Sequence, residues 1–113
     1  HRELKRIAAV SAKVGSISDN RLGGWYAYRS SKAALNMLVR TLSVELPRRC
    51  KPVACLALHP GTVSTALSAP FAKRGLHVRT PEEAAHGLIG VIDRAGPGDS
   101  GTFRHADGSP LPW

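Results

Sequence analysis

The chain has 113 residues, enough for one modest domain, and its 16 basic and 8 acidic residues give a formal net charge of +8. The basic residues are scattered singly or in pairs, and only two Phe, two Tyr and two Trp could stack on bases, so the charge does not predict a nucleic-acid partner. No apolar stretch approaches the roughly eighteen residues of a membrane span, so we expect no membrane partner.

The chain begins at His1 without an initiator Met and passes at once from basic to apolar residues, which predicts a segment of a longer protein. Cys50 and Cys55 are five positions apart, with no C-x-x-C pair and no His at a chelating distance. This pattern indicates neither a metal site nor a redox pair, and a reduced, cytoplasmic setting fits it.

The first half of the chain predicts a strand, a loop and a helix. Residues 6–12 are short, apolar and bounded by charge and glycine, as expected of a buried parallel strand. Residues 13–25 are polar and contain glycine, which predicts a loop. Over residues 28–46 apolar side chains recur at steps of three and four, and Pro47 closes the pattern, so we expect an amphipathic helix.

The second half predicts a strand, a helix and a strand. Residues 52–61 form a near-continuous apolar run, and residues 62–79 have no regular pattern. Thr80 as N-cap, Pro81 at the first helical position and Glu83 three residues after Thr80 predict a helix that opens with a capping box and ends before Gly96. Residues 101–108 predict a last short strand and turn. This order of elements predicts an α/β fold with a parallel sheet flanked by helices.

The start of the first helix carries a tyrosine and a lysine one turn apart. Tyr28 and Lys32 are four residues apart, so both project from the same face of the helix. A lysine ammonium close to a phenol favours the phenolate, which suits the pair to acid–base chemistry. The same spacing also occurs in helices whose Tyr and Lys lie on a solvated surface, so the pair alone leaves both interpretations open.

Three stretches around this pair occur in an ordered series: VSAKVGSI (residues 10–17), YRSSKAALN (28–36) and HPGTVSTAL (59–67). Together they resemble the short-chain dehydrogenase/reductase family, and the resemblance covers essentially the whole chain. The ending GTFRHADGSPLPW is similar to that of the branch containing C-factor-like proteins and small carbonyl reductases. The resemblance implies that residues 1–113 are the carboxyl-terminal half of a Rossmann-type doubly wound sheet, with the amino-terminal half missing.

The resemblance also implies an activity, the oxidation or reduction of a small carbonyl or alcohol substrate with NAD or NADP. Tyr28 would be the general acid or base, and Lys32 would hold the cofactor ribose and tune Tyr28. The turn after the second strand would line the nicotinamide through four residues, namely Pro60, Gly61, Val63 and Thr65. No metal is implied.

The serine motif of this chain departs from the family pattern. The family usually has two serines, two further residues and a glycine, the second serine being catalytic, whereas this chain has Ser11, Ala12 and then Gly15. Ser11 is the preferred source of the hydroxyl and Ser16 is the alternative. Both could instead make only local hydrogen bonds.

No glycine-rich turn leads from a strand into a helix, so no pyrophosphate site is predicted and NAD cannot be told from NADP. Two histidines, His59 and His86, have no chelating neighbours in the sequence, and we expect satisfied or solvated side chains. The resemblance implies homo-oligomers paired through the helix of residues 28–46. A truncated, non-catalytic fragment or an assembly segment is the alternative to an enzyme.

Overall fold

The computed structural model describes residues 3–49, 52–63 and 78–113, with main-chain placement alone for residues 62, 63 and 78. Its two helices are α1 (Tyr26–Glu45) and α2 (Pro81–Arg94). Its strands are β1 (Lys5–Val10), β2 (Val53–His59), β3 (Thr62–Val63), β4 (Val78–Arg79), β5 (Thr102–His105) and β6 (Pro110–Leu111). Short 3₁₀ turns cover Lys13–Gly15, Leu46–Arg48 and Pro97–Asp99.

The main sheet has the order β1-β2-β5-β6. β1 and β5 both run parallel to β2, with Ile7 opposite Cys55 and Ala57 opposite Phe103. α1 connects β1 to β2 and α2 lies between β2 and β5, so the predicted parallel α/β arrangement is confirmed. The fourth strand, β6, is antiparallel to β5 and was not predicted, because its two residues include a proline and carry no period.

The two helices pack on opposite faces of the sheet because side chains alternate along β2. Toward α1, Val53, Cys55 and Ala57 form a core with Val39 and Phe103. Toward α2, a second core contains Leu56, Leu58, Val91 and Ala95. All residues of β2 except His59 are buried, as its apolar run predicts.

α1 begins at Tyr26, two residues before the predicted start. Gly23, Gly24 and Trp25 have φ angles of 67°, 74° and 50°, so the chain passes through three left-handed residues and enters the helix directly. The Arg29 side chain donates hydrogen bonds to the carbonyls of Gly24 and Gly23, at 2.9 and 3.1 Å, and stabilises this turn. The predicted end is confirmed, since regular helix stops at Glu45 and Pro47 lies in the following 3₁₀ turn.

The apolar face of α1 is only partly buried against the described sheet. Asn36 and Val39 are its buried residues, whereas Leu38 and Leu42 are 61% and 38% exposed. Part of the apolar pattern that predicted this helix therefore lies outside the described core.

β1 is parallel, as predicted, but the expectation of a buried strand is wrong for the described chain. Five of its six residues are exposed, including Ile7 at 44% and Val10 at 54%. Within the described segments β1 pairs with β2 alone and has no strand at its other edge, so its side chains lack neighbours.

The segment predicted to be irregular, residues 62–79, is regular at its two ends. Thr62 and Val63 pair in parallel with Val78 and Arg79, and residues 64–77 lie outside the described part of the chain. The capping box of α2 is confirmed: Thr80 Oγ1 accepts from the Glu83 N–H at 3.1 Å, and the Thr80 N–H donates to the Glu83 carboxylate at 3.3 Å. None of the described helices combines the length and the apolarity that a bilayer span requires.

Candidate active site

The candidate site lies where the parallel strands end. β1 is followed by Ser11, β2 ends at His59 before Pro60 and Gly61, and β5 ends at His105. Because the carboxyl ends of parallel strands share one edge of the sheet, these residues lie on the same edge. α1 begins after the loop that follows β1, which brings its first turns to this edge.

Tyr28 and Lys32 lie in the first two turns of α1, and both side chains are partly exposed. The Lys32 Nζ is 5.9 Å from the centroid of the Tyr28 ring. The structure therefore places the ammonium over the phenol, as the spacing predicts.

Ser11 is 3% exposed, and its hydroxyl donates a 2.6 Å hydrogen bond to Oδ1 of Asn36, which is also 3% exposed. The Ser11 N–H continues the ladder with β2 by donating to the Leu58 carbonyl at 2.6 Å. Ser11 is thus fixed between the end of β1 and the middle of α1. Asn36 is therefore the partner of the candidate serine.

Ser16 is 1% exposed and makes hydrogen bonds of a different kind. Its hydroxyl donates to the main-chain oxygen of Trp113 at 3.0 Å and accepts from the Asp19 N–H at 3.1 Å. The main-chain N–H of Ile17 also donates to that oxygen of Trp113 at 2.7 Å. Ser16 therefore holds its loop to the end of the described chain.

Gly15 brings this loop into close contact with α1. A methyl group there would lie 2.8 Å from the Lys32 Cβ, 2.9 Å from the Lys32 carbonyl carbon and 3.1 Å from the Asn36 amide nitrogen. The absence of a side chain at residue 15 is what lets the turn pack directly on the helix that carries Lys32.

We expect Gly15→Ala to destabilise a folded domain by about 1–3 kcal/mol, the usual range for overpacking, because helix backbone cannot move aside as a flexible side chain would. The control is Gly98→Ala, where an added Cβ meets no heavy atom within 4 Å. Denaturant unfolding of both variants measures the difference. Equal stabilities would contradict the close packing.

The turn after β2 has a left-handed residue, Gly61, at φ 85°. A methyl group at Gly61 would lie 3.0 Å from Nε of Arg79 and 3.8 Å from Nε2 of His105, so a cation and an imidazole flank this turn. Pro60 is partly exposed and Val63 is placed by its main chain in β3, whereas the predicted Thr65 lies outside the described residues.

His59 is satisfied within the fold, as the sequence suggested. Its Nδ1 accepts a 3.0 Å hydrogen bond from the main-chain N–H of Lys13, and its ring meets that of His105 edge-on at 5.3 Å. Burial, followed by the nearby charges of His105, Lys13 and Arg79, lowers the pKa of His59 from 6.5 to about 4. The imidazole is therefore neutral at physiological pH.

Sequence reasoning missed four residues of this region: Arg29, Asn36, Arg79 and Trp113. Their contacts either join distant parts of the chain or depend on neighbouring residues in the left-handed conformation. A short sequence motif reveals neither. Among the residues that the structure describes, no group of His, Cys, Asp or Glu could hold a metal ion, and Cys55 is a buried free thiol.

A parallel sheet with a helix on each face, and with polar side chains gathered at its carboxyl edge, is part of a Rossmann-like α/β fold. The family model described as short chain dehydrogenase matches residues 5–75. The chain therefore belongs to the short-chain dehydrogenase family.

Two relatives and two solved structures illustrate the similarity. The 1-hydroxy-2-glutathionyl-2-methyl-3-butene dehydrogenase of Rhodococcus sp. (strain AD45) is 44% identical over 111 residues, which cover 98% of this chain and 48% of that protein. The C-signal protein of Myxococcus xanthus is 40% identical over 110 residues, covering 97% of this chain and 62% of that protein.

The NADPH-bound carbonyl reductase from chicken fatty liver superposes with a TM-score of 0.83 at 34% identity, over 96% of this chain and 42% of that one. The carbonyl reductase Sniffer of D. melanogaster gives 0.82 at 34% identity, over 96% of this chain and 41% of that one. The chain thus spans about half the length of the relatives it matches, and the similarity to the carbonyl reductase branch is confirmed.

Proposed function

We propose that residues 1–113 form the catalytic half of an NAD(P)-dependent oxidoreductase that reduces a carbonyl group or oxidises a secondary alcohol. The observation that carries this proposal is the Tyr28–Lys32 pair, with Nζ 5.9 Å from the ring centroid, on the helix that also holds Ser11 through Asn36. Membership of an oxidoreductase family and the carbonyl reductase neighbours support the reaction class.

The described residues fit one end of a nicotinamide dinucleotide. Lys32 offers N–H donors suited to ribose hydroxyls, the Tyr28 oxygen can accept a hydrogen bond from one of them, and the left-handed Gly61 brings main chain close to the same edge. NADPH or NADP is bound in three of the similar structures, which supports the same class of cofactor here. When bound, such a cofactor supplies or accepts the hydride.

In the proposed reduction, the Tyr28 hydroxyl donates a proton to the carbonyl oxygen as negative charge develops there. The Lys32 ammonium lies over the Tyr28 ring, with Nζ 5.9 Å from the ring centroid, and places a positive charge beside the proton donor. When a carbonyl substrate binds, the Ser11 hydroxyl turns its single proton from Asn36 Oδ1 to the carbonyl oxygen, and so orients and polarises the carbonyl. In the oxidation of an alcohol, Tyr28 accepts the proton instead.

A direct test joins this chain to the amino-terminal half of a relative, such as the Rhodococcus dehydrogenase, to give a complete domain. We expect that domain to consume NADH or NADPH with some members of a ketone and aldehyde panel. Cofactor binding without turnover on any member of the panel would argue against the reaction class.

The roles of Ser11 and Ser16 can be distinguished by alanine substitutions in the same complete domain. We expect Ser11→Ala to lower the turnover rate by about 10²-fold, the effect of losing one positioned donor, and Ser16→Ala to do little. Ser11 follows β1 at the carboxyl edge of the sheet and contacts the helix that carries Tyr28, whereas Ser16 contacts Trp113 and Asp19, and this difference in place supports the ranking. Steady-state rates of both variants measure it. The reverse ranking would transfer the role to Ser16, and two small effects would mean that neither hydroxyl is used.

The outer surface of α1 supports an additional role in assembly. Met37, Leu38 and Val44 are 64%, 61% and 49% exposed on one helix. We propose that the complete protein is a homo-oligomer and that this surface pairs with a second copy of the chain. The alternative function, a non-catalytic assembly segment, would use the same surface without the Tyr28–Lys32 chemistry. The buried free thiol of Cys55 is compatible with the proposed cytoplasmic location.

A further inference from the structure

His59 links the end of β2 to the turn that follows Ser11. Its Nδ1 accepts from the Lys13 N–H at 3.0 Å, although the two residues are 46 positions apart. Lys13 is the first residue of the Lys13–Gly15 turn, and it comes two residues after the candidate serine. The ring of His59 is in turn backed by His105 of β5 at 5.3 Å.

The same turn contacts the helix that bears the tyrosine and the lysine. Gly15 packs so closely on Lys32 that an added methyl group would lie 2.8 Å from its Cβ. The turn itself is closed by main-chain hydrogen bonds from Gly15 to Ala12 and from Ser16 to Lys13, both 2.9 Å. Because Lys13 and Gly15 belong to the same short turn, a displacement of Lys13 would also change the contact between Gly15 and Lys32.

The bond requires one protonation state and one tautomer of His59. Because Nδ1 accepts a hydrogen bond, the ring must be neutral with its proton on Nε2. Within the described residues, the titratable groups that face the ring from neighbouring elements are His105, Lys13 and Arg79, and none of these three is acidic. The Lys13 N–H therefore requires a hydrogen-bond acceptor at the Nδ1 position of residue 59.

We propose that His59 is a positioning residue, whose Nδ1 fixes the Lys13–Gly15 turn and thereby sets Ser11 and the Tyr28–Lys32 pair at their working separation. This inference rests on the proposed function for its catalytic consequence, but the bond itself stands on geometry alone. Displacement of reacting groups by about 1 Å can cost on the order of 10²-fold in rate, so a loosened turn should act mainly on kcat.

Substitution of His59 by Asn and by Gln tests the roles of the two ring nitrogens individually. Asn places a carbonyl oxygen near the position of Nδ1, whereas Gln places its oxygen near Nε2. In the complete domain we expect His59→Gln to lower kcat by about 10- to 100-fold with KM for the cofactor little changed, and His59→Asn to retain most of the activity.

The hydrogen bond between Lys13 and His59 can also be removed at its donor, the main-chain N–H of Lys13. Pro suits the first position of a helical turn and has no N–H, and Ala12 before it is already extended, with φ −151° and ψ 148°. Lys13→Pro should therefore lower kcat as His59→Gln does, and the double variant should be no worse than either. Lys13→Ala, which keeps the N–H, is the matched control and should resemble wild type.

Amide hydrogen exchange at Lys13 tests the bond without any turnover. We expect faster exchange in His59→Gln than in wild type or His59→Asn. Equal exchange in the Gln and Asn variants, or additive losses of kcat in the double variant, would overturn the proposal. If the wild-type domain has no activity, the proposed function fails, while the exchange experiment still decides whether His59 fixes the turn. If His59→Gln does not fold, the comparison of Lys13→Pro with Lys13→Ala decides it.

Discussion

Tyr28→Phe should remove carbonyl reduction from the complete domain while leaving its stability close to that of wild type. The substitution keeps the ring beneath the Lys32 ammonium and deletes only the hydroxyl that would donate the proton. General acid catalysis commonly contributes about 10²–10⁴-fold, so turnover should fall by at least that range. Steady-state rates on a ketone and aldehyde panel, with thermal unfolding of the same samples, measure both parts.

The chain provides a matched control two residues away. Tyr26 begins α1 and is 84% exposed, so Tyr26→Phe deletes the same hydroxyl from the same helix outside the candidate site. This variant should keep wild-type turnover. Undiminished turnover by Tyr28→Phe, or equal losses in both variants, would contradict the assignment of Tyr28 as the acid.

The elements that could be predicted are those with a period or a local signature. β2 is a continuous apolar run because both its faces are covered, and α2 opens with a capping box whose two hydrogen bonds are local. The start of α1 was misplaced by two residues because three left-handed residues precede it, and Trp25 in that conformation has no sequence signal.

Burial was harder to predict than secondary structure because it depends on neighbours that the segment itself does not contain. β1 has the composition of a buried strand, yet Val10 is 54% exposed at an edge of the described sheet. The two-residue strands β3, β4 and β6 are too short for any period to appear.

Within the candidate site, too, local features could be predicted from the sequence and long-range contacts could not. Tyr28 and Lys32 could be paired from their spacing, because one helical turn separates them. The bonds of Ser11 to Asn36, Ser16 to Trp113 and Lys13 to His59 join residues 25, 97 and 46 positions apart, and only the folded chain brings them together. In the folded chain Ser11 bonds Asn36 and Ser16 bonds Trp113, and the preference for Ser11 over Ser16 stays a prediction.

The separate chain should bind neither NADH nor NADPH in a saturable way. The 113 residues contain no glycine-rich strand-to-helix turn, so the pyrophosphate would lack its usual site at a helix N-terminus. β1 also presents an unpaired edge within the described sheet and two exposed apolar side chains, Ile7 and Val10. We therefore expect residues 1–113 alone to be poorly soluble or molten.

Fluorescence and calorimetric titrations of the separate chain and of the complete domain test this expectation side by side. The complete domain should bind the cofactor and turn over substrate, because the added half supplies both the phosphate-binding turn and strands to cover β1. Circular dichroism of the separate chain reports whether its packing is native. Stoichiometric, tight binding of a dinucleotide by residues 1–113 alone would show that the carboxyl edge with Lys32 and Gly61 anchors the cofactor without a phosphate-binding turn, and the proposal of a catalytic half would then be wrong.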